Sequence, residues 1–281
     1  MSGREYRSTT LSMMMQVPEY ALDVYNAING SNWTDPNLVE VILLENSFSL
    51  SVRNDSSFII NTELNFFEHQ STYNPNMPLR SIIYFANMLK RLYKKYDWDF
   101  YSSPLISLPT PKFVVLYNGN TKRPEVEIQR LSDHFEKQDL EPQIELIVTV
   151  YNINPGFNEN LRKTSKVITG YCTFVEKVKA LRETMELEEA LDCSFDYCIN
   201  NDIMSDFFRE KRGDIKEMIQ FDYSAERRAE LAAKDGFKRG EESATITHIT
   251  NLMNNTKCSL EEACNSLGIQ LTDNLRDAIV M

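Results

Sequence analysis

Along the chain, apolar and polar positions change period several times, and each change marks an element. In "VPEYALDVYNAIN" (17–29) the apolar side chains Tyr20, Ala21, Val24, Tyr25 and Ile28 recur at helical spacing, and Gly30 is a natural C-terminal stop. "VEVILLENSFSLSV" reads as strand until "RND" breaks it. "SSFIIN" and "LNFFEHQS" are two short apolar segments separated by "TE", the pattern of a β-hairpin. "MPLRSIIYFANMLKRLYKKY" (77–96) predicts a helix with a mixed apolar and basic surface. "PKFVVLYNG" (111–119) predicts a buried strand ended by an Asn-Gly turn, and "PQIELIVTVYNIN" (142–154) another strand. Strands, a helix and more strands together predict an α/β core over 1–155. From there the period is almost wholly helical, which predicts a helical extension over 156–244. A small helical segment follows over 245–281, where Ser259 and Glu262 have capping-box spacing and Gly268 closes the helix.

Composition narrows the class. The 281 residues are 42% hydrophobic and 25% charged, with 9 Gly and 10 Pro, which suits a globular protein without long linkers. The apolar runs are too short to cross a bilayer, and "MSGREYRSTTLSMMMQVPEYA" lacks the basic start and apolar middle of a secretory leader. Five cysteines without C-x-x-C spacing argue for reduced thiols and against zinc, so the expectation is a cytoplasmic protein with no membrane contact. The net charge of −11 argues against a protein that coats nucleic acid. The charge is uneven, however. Lys90, Arg91, Lys94 and Lys95 cluster on one predicted helix, with Arg80 further up it; they form either a phosphate-holding face or an ordinary solvated one.

The chemistry concentrates in "NFFEHQ". Two phenylalanines that belong in a core are followed at once by Glu68, His69 and Gln70. Strand alternation puts Glu68 and Gln70 on one face and His69 on the other, where a hydrogen-bonded or packed histidine is expected. An antiparallel return can bring Asp55 to the same end of the sheet as Glu68. Two converging carboxylates make a hard oxygen site suited to Mg²⁺, which activates water against phosphorus; Gln70 beside them could orient that water or a phosphate oxygen. On pattern alone, an ordinary polar strand end is the competing reading.

"RNDSSFIINTELNFFEHQSTYNPNMPLR" and "LPTPKFVVLYNGN", supported by "YNAING", "IQRLSDHFE" and "ELIVTVYNIN", resemble the Rpn-type family. This is the recombination-promoting nuclease or putative transposase branch of the PD-(D/E)XK nucleases. The resemblance covers residues 20 to 155 and the general layout of the helical remainder. It implies a restriction-endonuclease-like α/β core, a mixed sheet flanked by helices, followed by a mostly helical C-terminal region. It also implies a DNA endonuclease linked to recombination or mobile elements, using Mg²⁺ with Mn²⁺ as a substitute and no organic cofactor. Asp55 and Glu68 match the metal-binding acids, and Gln70 stands where the motif's name has Lys, as is usual in this branch. Glu45 is a further acid on the preceding strand. Arg80, Lys90, Arg91, Lys94 and Lys95 are the expected DNA contacts, and DNA and a second copy of the chain the expected partners. The family's usual Asp/Phe/Leu-Phe opening is replaced here by "STTLSMMMQ" (8–16). The rival reading is a nuclease fold without activity that binds DNA or protein.

Overall fold

The computed structural model describes residues 5–42, 56–60, 62–269, 275 and 279, with side chains except at 5 and 220–243. Two compact units result, Met1–Ile219 and Gln220–Met281.

The first unit opens with helices α1 (Glu5–Met15) and α2 (Pro18–Asn29). Pro18 sits in the first turn of α2, where its missing N–H costs nothing, and Gly30 ends the helix at φ 63°. Strands β1 (Val39–Ile42), β2 (Ser56–Ile60) and β3 (Glu63–Gln70) form an antiparallel meander. Helix α3 (Met77–Lys95) then crosses to β4 (Thr110–Tyr117), which pairs parallel to β3. β5 (Val126–Arg130) and β6 (Ile147–Asn152) complete a mixed sheet of order β1-β2-β3-β4-β6-β5. The protein is thus α/β, with a mixed sheet, six-stranded among the described residues, flanked by helices and a helical C-terminal region.

Alternation divides the core. Phe58, Ile60, Phe67, Val114 and Leu116 face α1, α2 and a helical layer made of α5 (Lys166–Leu181), α6 (Leu187–Asn200) and the start of α7 (Ser205–Thr256). Phe174, Phe195 and Phe208 interlock in that layer with ring centroids 4.9–5.8 Å apart. Phe66, Phe113, Val115 and Val148 face α3 instead, against Met77, Tyr84, Met88 and Leu92. The boundary expected at residue 155 therefore separates sheet from helices along the chain but not in space. The helices after the short α4 (Glu159–Thr164) supply half of the sheet's core, and the division between units falls after Ile219. The expected boundary at 244 lies within α7. A chain ending at Met204 loses the buried Phe207, Phe208, Ile215 and Ile219, and is expected to be insoluble; a chain ending at Gln220 keeps them and is expected to unfold cooperatively. Circular dichroism during urea unfolding of both distinguishes these outcomes.

In the second unit, α8 (Leu260–Ser266) carries the expected capping box. Ser259 N–H donates to Glu262 Oε2 at 2.8 Å, and Glu262 N–H donates to Ser259 Oγ at 3.3 Å. Ile249, Ala263 and Cys264 form a small core of this unit's own.

Candidate functional site

Parallel strands β3, β4 and β6 all end at one edge of the sheet, the edge where open α/β sheets place ligands. Glu68, His69 and Gln70 are the last residues of β3 there, and all three are buried. Alternation distributes them as expected. Glu68 meets Arg80 of α3, whereas His69 packs edge-on to Tyr171 of α5, ring centroids 5.8 Å apart.

The turn after β3 returns the chain so that Arg80, in the first turn of α3, lies over the strand end. Its Nη2 donates to Glu68 Oε1 and, at 2.6 Å, to Tyr84 Oη. The Arg80 side chain is 30% exposed, against 8% for Glu68, so the buried carboxylate connects to the surface through the guanidinium. Arg80, expected as a phosphate contact, is thus engaged by Glu68 and Tyr84.

Gln70 lies one position beyond on the same face. Its Oε1 accepts from Asn74 N–H at 3.3 Å; its buried Nε2 has no hydrogen-bond partner among the described residues. The other expected acid, Asp55, lies outside the described residues, as does Glu45 on the preceding segment. The last described pair of the β2–β3 ladder is Ser56↔Phe67, the residues next to Asp55 and Glu68 in sequence. No three His, Cys, Asp or Glu side chains among the described residues form a group that could hold a metal. Glu68 is a hard oxygen donor of the kind Mg²⁺ takes, but a single carboxylate is only part of such a donor set.

Three polar residues escaped the sequence reading. Glu127 on β5 shares a sheet row with Glu68 through Val115 and Val150. Three strand spacings separate the two acids, about 14 Å, too far to share an ion. Arg123 donates to Glu127 Oε2 and Tyr73 to its Oε1, the latter at 2.7 Å, while the Arg123 guanidinium stacks 3.7 Å from the Tyr73 ring centroid. Burial by itself would raise the Glu127 carboxyl pKa, but these two donors outweigh it and hold it below the usual range. The signal was present in "RPEVEIQR", which alternates as an edge strand should, with charge on both faces.

The basic cluster lies elsewhere. Lys90 to Lys95 follow Arg80 by ten to fifteen residues, about 15–22 Å along the helix axis. Lys95 Nζ bonds Glu40 at 2.6 and 2.7 Å, and Glu40 is level with Ile59 and Leu64, at the opposite end of β3 from Glu68. The cluster and Arg80 therefore do not form one surface around Glu68, because α3 runs antiparallel to the strand before it.

The strand edge is held by the Asn118-Gly119 turn. A Cβ on Gly119 would lie 2.5 Å from Ser71 O and 2.6 Å from Tyr117 Oη, which is itself tied to Thr121 O at 2.7 Å. Gly119→Ala is expected to lower the unfolding free energy by about 1–3 kcal/mol, measured by urea denaturation, because neither neighbour can yield freely.

Compared with known protein families, curated proteins and solved structures, the chain matches none. No described helix is long and apolar enough to cross a membrane.

Proposed function

We propose that the chain is a metal-dependent DNA endonuclease of PD-(D/E)XK type, with Asp55 and Glu68 as the acids that hold Mg²⁺ and Gln70 as their neighbour in catalysis. The observation that carries this reading is the delivery of an E-x-Q pair, on one face, to the C-terminal edge of a mixed α/β sheet. Mn²⁺ is expected to replace Mg²⁺, both being cations that take oxygen ligands. Bound there, the ion would polarise a phosphoryl oxygen and make water acidic enough to attack phosphorus. Gln70 Nε2, a buried donor, would hydrogen-bond that water or a non-bridging oxygen. Gln carries no charge and has no useful pKa, so it orients rather than deprotonates. Arg80 would exchange part of its bond to Glu68 for the negative charge that builds on the phosphoryl oxygens. The link to recombination or mobile elements rests on the family resemblance.

One observation favours the rival, a nuclease fold used only for binding: a guanidinium already neutralises Glu68. Incubating the full chain with supercoiled plasmid in Mg²⁺, Mn²⁺ or EDTA separates the two. Nicking or linearisation in either metal and none in EDTA supports the enzyme. Retarded but intact plasmid supports the rival.

A further inference from the structure

The opposite face of the same strand ends carries a second polar constellation. Arg7 on α1 and Lys179 on α5 both donate to the backbone carbonyl of Asn118, Arg7 Nη1 at 3.4 Å and Lys179 Nζ at 3.1 Å. Asn118 N–H in turn donates to Gln70 O at 3.0 Å, so the two cations converge on the sheet edge next to β3. Among the described residues, neither cation forms an ion pair with a carboxylate. One carbonyl dipole cannot neutralise two charges, and the carboxylate described beside Lys179, Glu176, is itself paired with Arg162.

The described groups around the pair add no net negative charge. A cleft beside Lys179 is lined by Asn118, Asn154, Cys172 and Glu176. Glu176 is paired with Arg162 at 2.7 Å. Burial pushes the Cys172 thiol up to about 12, and the Tyr171 phenol is raised as well, so both stay neutral. Burial also holds His69 neutral, with its pKa lowered to about 4. Burial first, and then the Arg7 charge, lower the Lys179 ammonium to about 8.

We infer that Arg7 and Lys179 form an oxyanion subsite that takes a phosphoryl group at the C-terminal edge of the sheet. A guanidinium fork and a point ammonium converging from two helices suit a tetrahedral oxyanion, and its charge would relieve their mutual repulsion. The phosphoryl group can belong to free phosphate or to a nucleic-acid backbone. The inference goes beyond the nuclease reading, since an anion can bind here whether or not Glu68 supports cleavage.

The test uses the full chain at pH 7 and constant ionic strength. Inorganic phosphate is titrated by calorimetry and a labelled twelve-residue oligothymidylate by fluorescence anisotropy. Wild type is expected to bind at least one of them. Binding of phosphate alone assigns the subsite to the free ion, and binding of the oligonucleotide assigns it to a backbone phosphate. Arg7→Gln and Lys179→Gln are each expected to weaken that binding by at least about tenfold, and Lys179→Arg to stay within a few-fold of wild type. Neither titration contains a metal ion or requires a bond to be cleaved, so failure of the nuclease reading leaves this result intact. Binding of neither probe, or glutamine variants equal to wild type, overturns the inference. Should the glutamine variants not fold, wild type decides alone. Sulfate, whose charge is constant from pH 7 to 9, is expected to bind several-fold more weakly at pH 9 as Lys179 loses its proton, and an unchanged affinity overturns the proposal.

Discussion

Glu68→Gln is expected to lose more than about 100-fold in single-turnover cleavage at saturating Mg²⁺, with the fold intact. Loss of an outer-shell partner of a metal ligand typically costs about 10–100-fold, and Glu68 is proposed as the ligand itself. The substitution keeps the shape of the side chain and an oxygen for Arg80, so the strand end stays packed. It removes the charge that an ion would need. Asp55→Asn is expected to behave alike. Gln70→Ala removes only one oriented donor and is expected to lose less than Glu68→Gln does. The ordering of rates carries the information. A Glu68→Gln rate within a few-fold of wild type removes Glu68 from the proposed site, whatever the rate of Gln70→Ala.

Acid is expected to destabilise the protein through His69. Its Nε2 lies 2.9 Å from Asn118 Oδ1, and Asn118 Nδ2 donates to Tyr171 Oη at 3.0 Å. That fixes the amide with its oxygen toward the ring, so the neutral imidazole donates from Nε2. Burial, chiefly, with Arg7 and Lys179 nearby, lowers the folded-state pKa from 6.5 to about 4 despite the Asn118 bond, which acts the other way. Between those values the unfolded chain binds the proton and the folded chain does not. Stability is therefore fully present above pH 6.5 and is lost as pH falls toward 4, by about 1.4 kcal/mol per unit and about 3 kcal/mol in all. His69→Gln, which cannot titrate, removes this part of the pH dependence. Urea midpoints at pH 7 and pH 4.5 measure it. The wild type's advantage over His69→Gln should shrink at the lower pH, and an advantage that stays constant would show that His69 does not bind the proton on unfolding.

Much of the local structure was legible in the sequence because it is governed by neighbours along the chain. The helical period of 17–29 and Gly30 set α2 and its end. Ser259 and Glu262 set the cap of α8. Strand alternation alone sent Glu68 and Gln70 to one face and His69 to the other. Where the local signal was weak, elements were missed. Helix α1 buries Thr9 and Thr10 beside Leu11, Met14 and Met15, and threonine at core positions hides the apolar stripe. β5 is an edge strand with a half-exposed pattern and no continuous apolar run.

The grouping of chemistry was decided only by tertiary structure. The basic residues of "LRSIIYFANMLKRLYKK" read as one face, yet the antiparallel course of α3 brings Arg80 to Glu68 and carries Lys95 to Glu40 at the other end of the sheet. The parallel pairing of β3 with β4 and of β4 with β6 gathers Asn118, Arg7 and Lys179 at one edge, although 172 positions separate the two cations. Backbone period and capping depend on residues within a turn of each other, so sequence order contains them. Convergence of charges depends on which strands pair and which way the helices between them run, and no spacing along the chain encodes that.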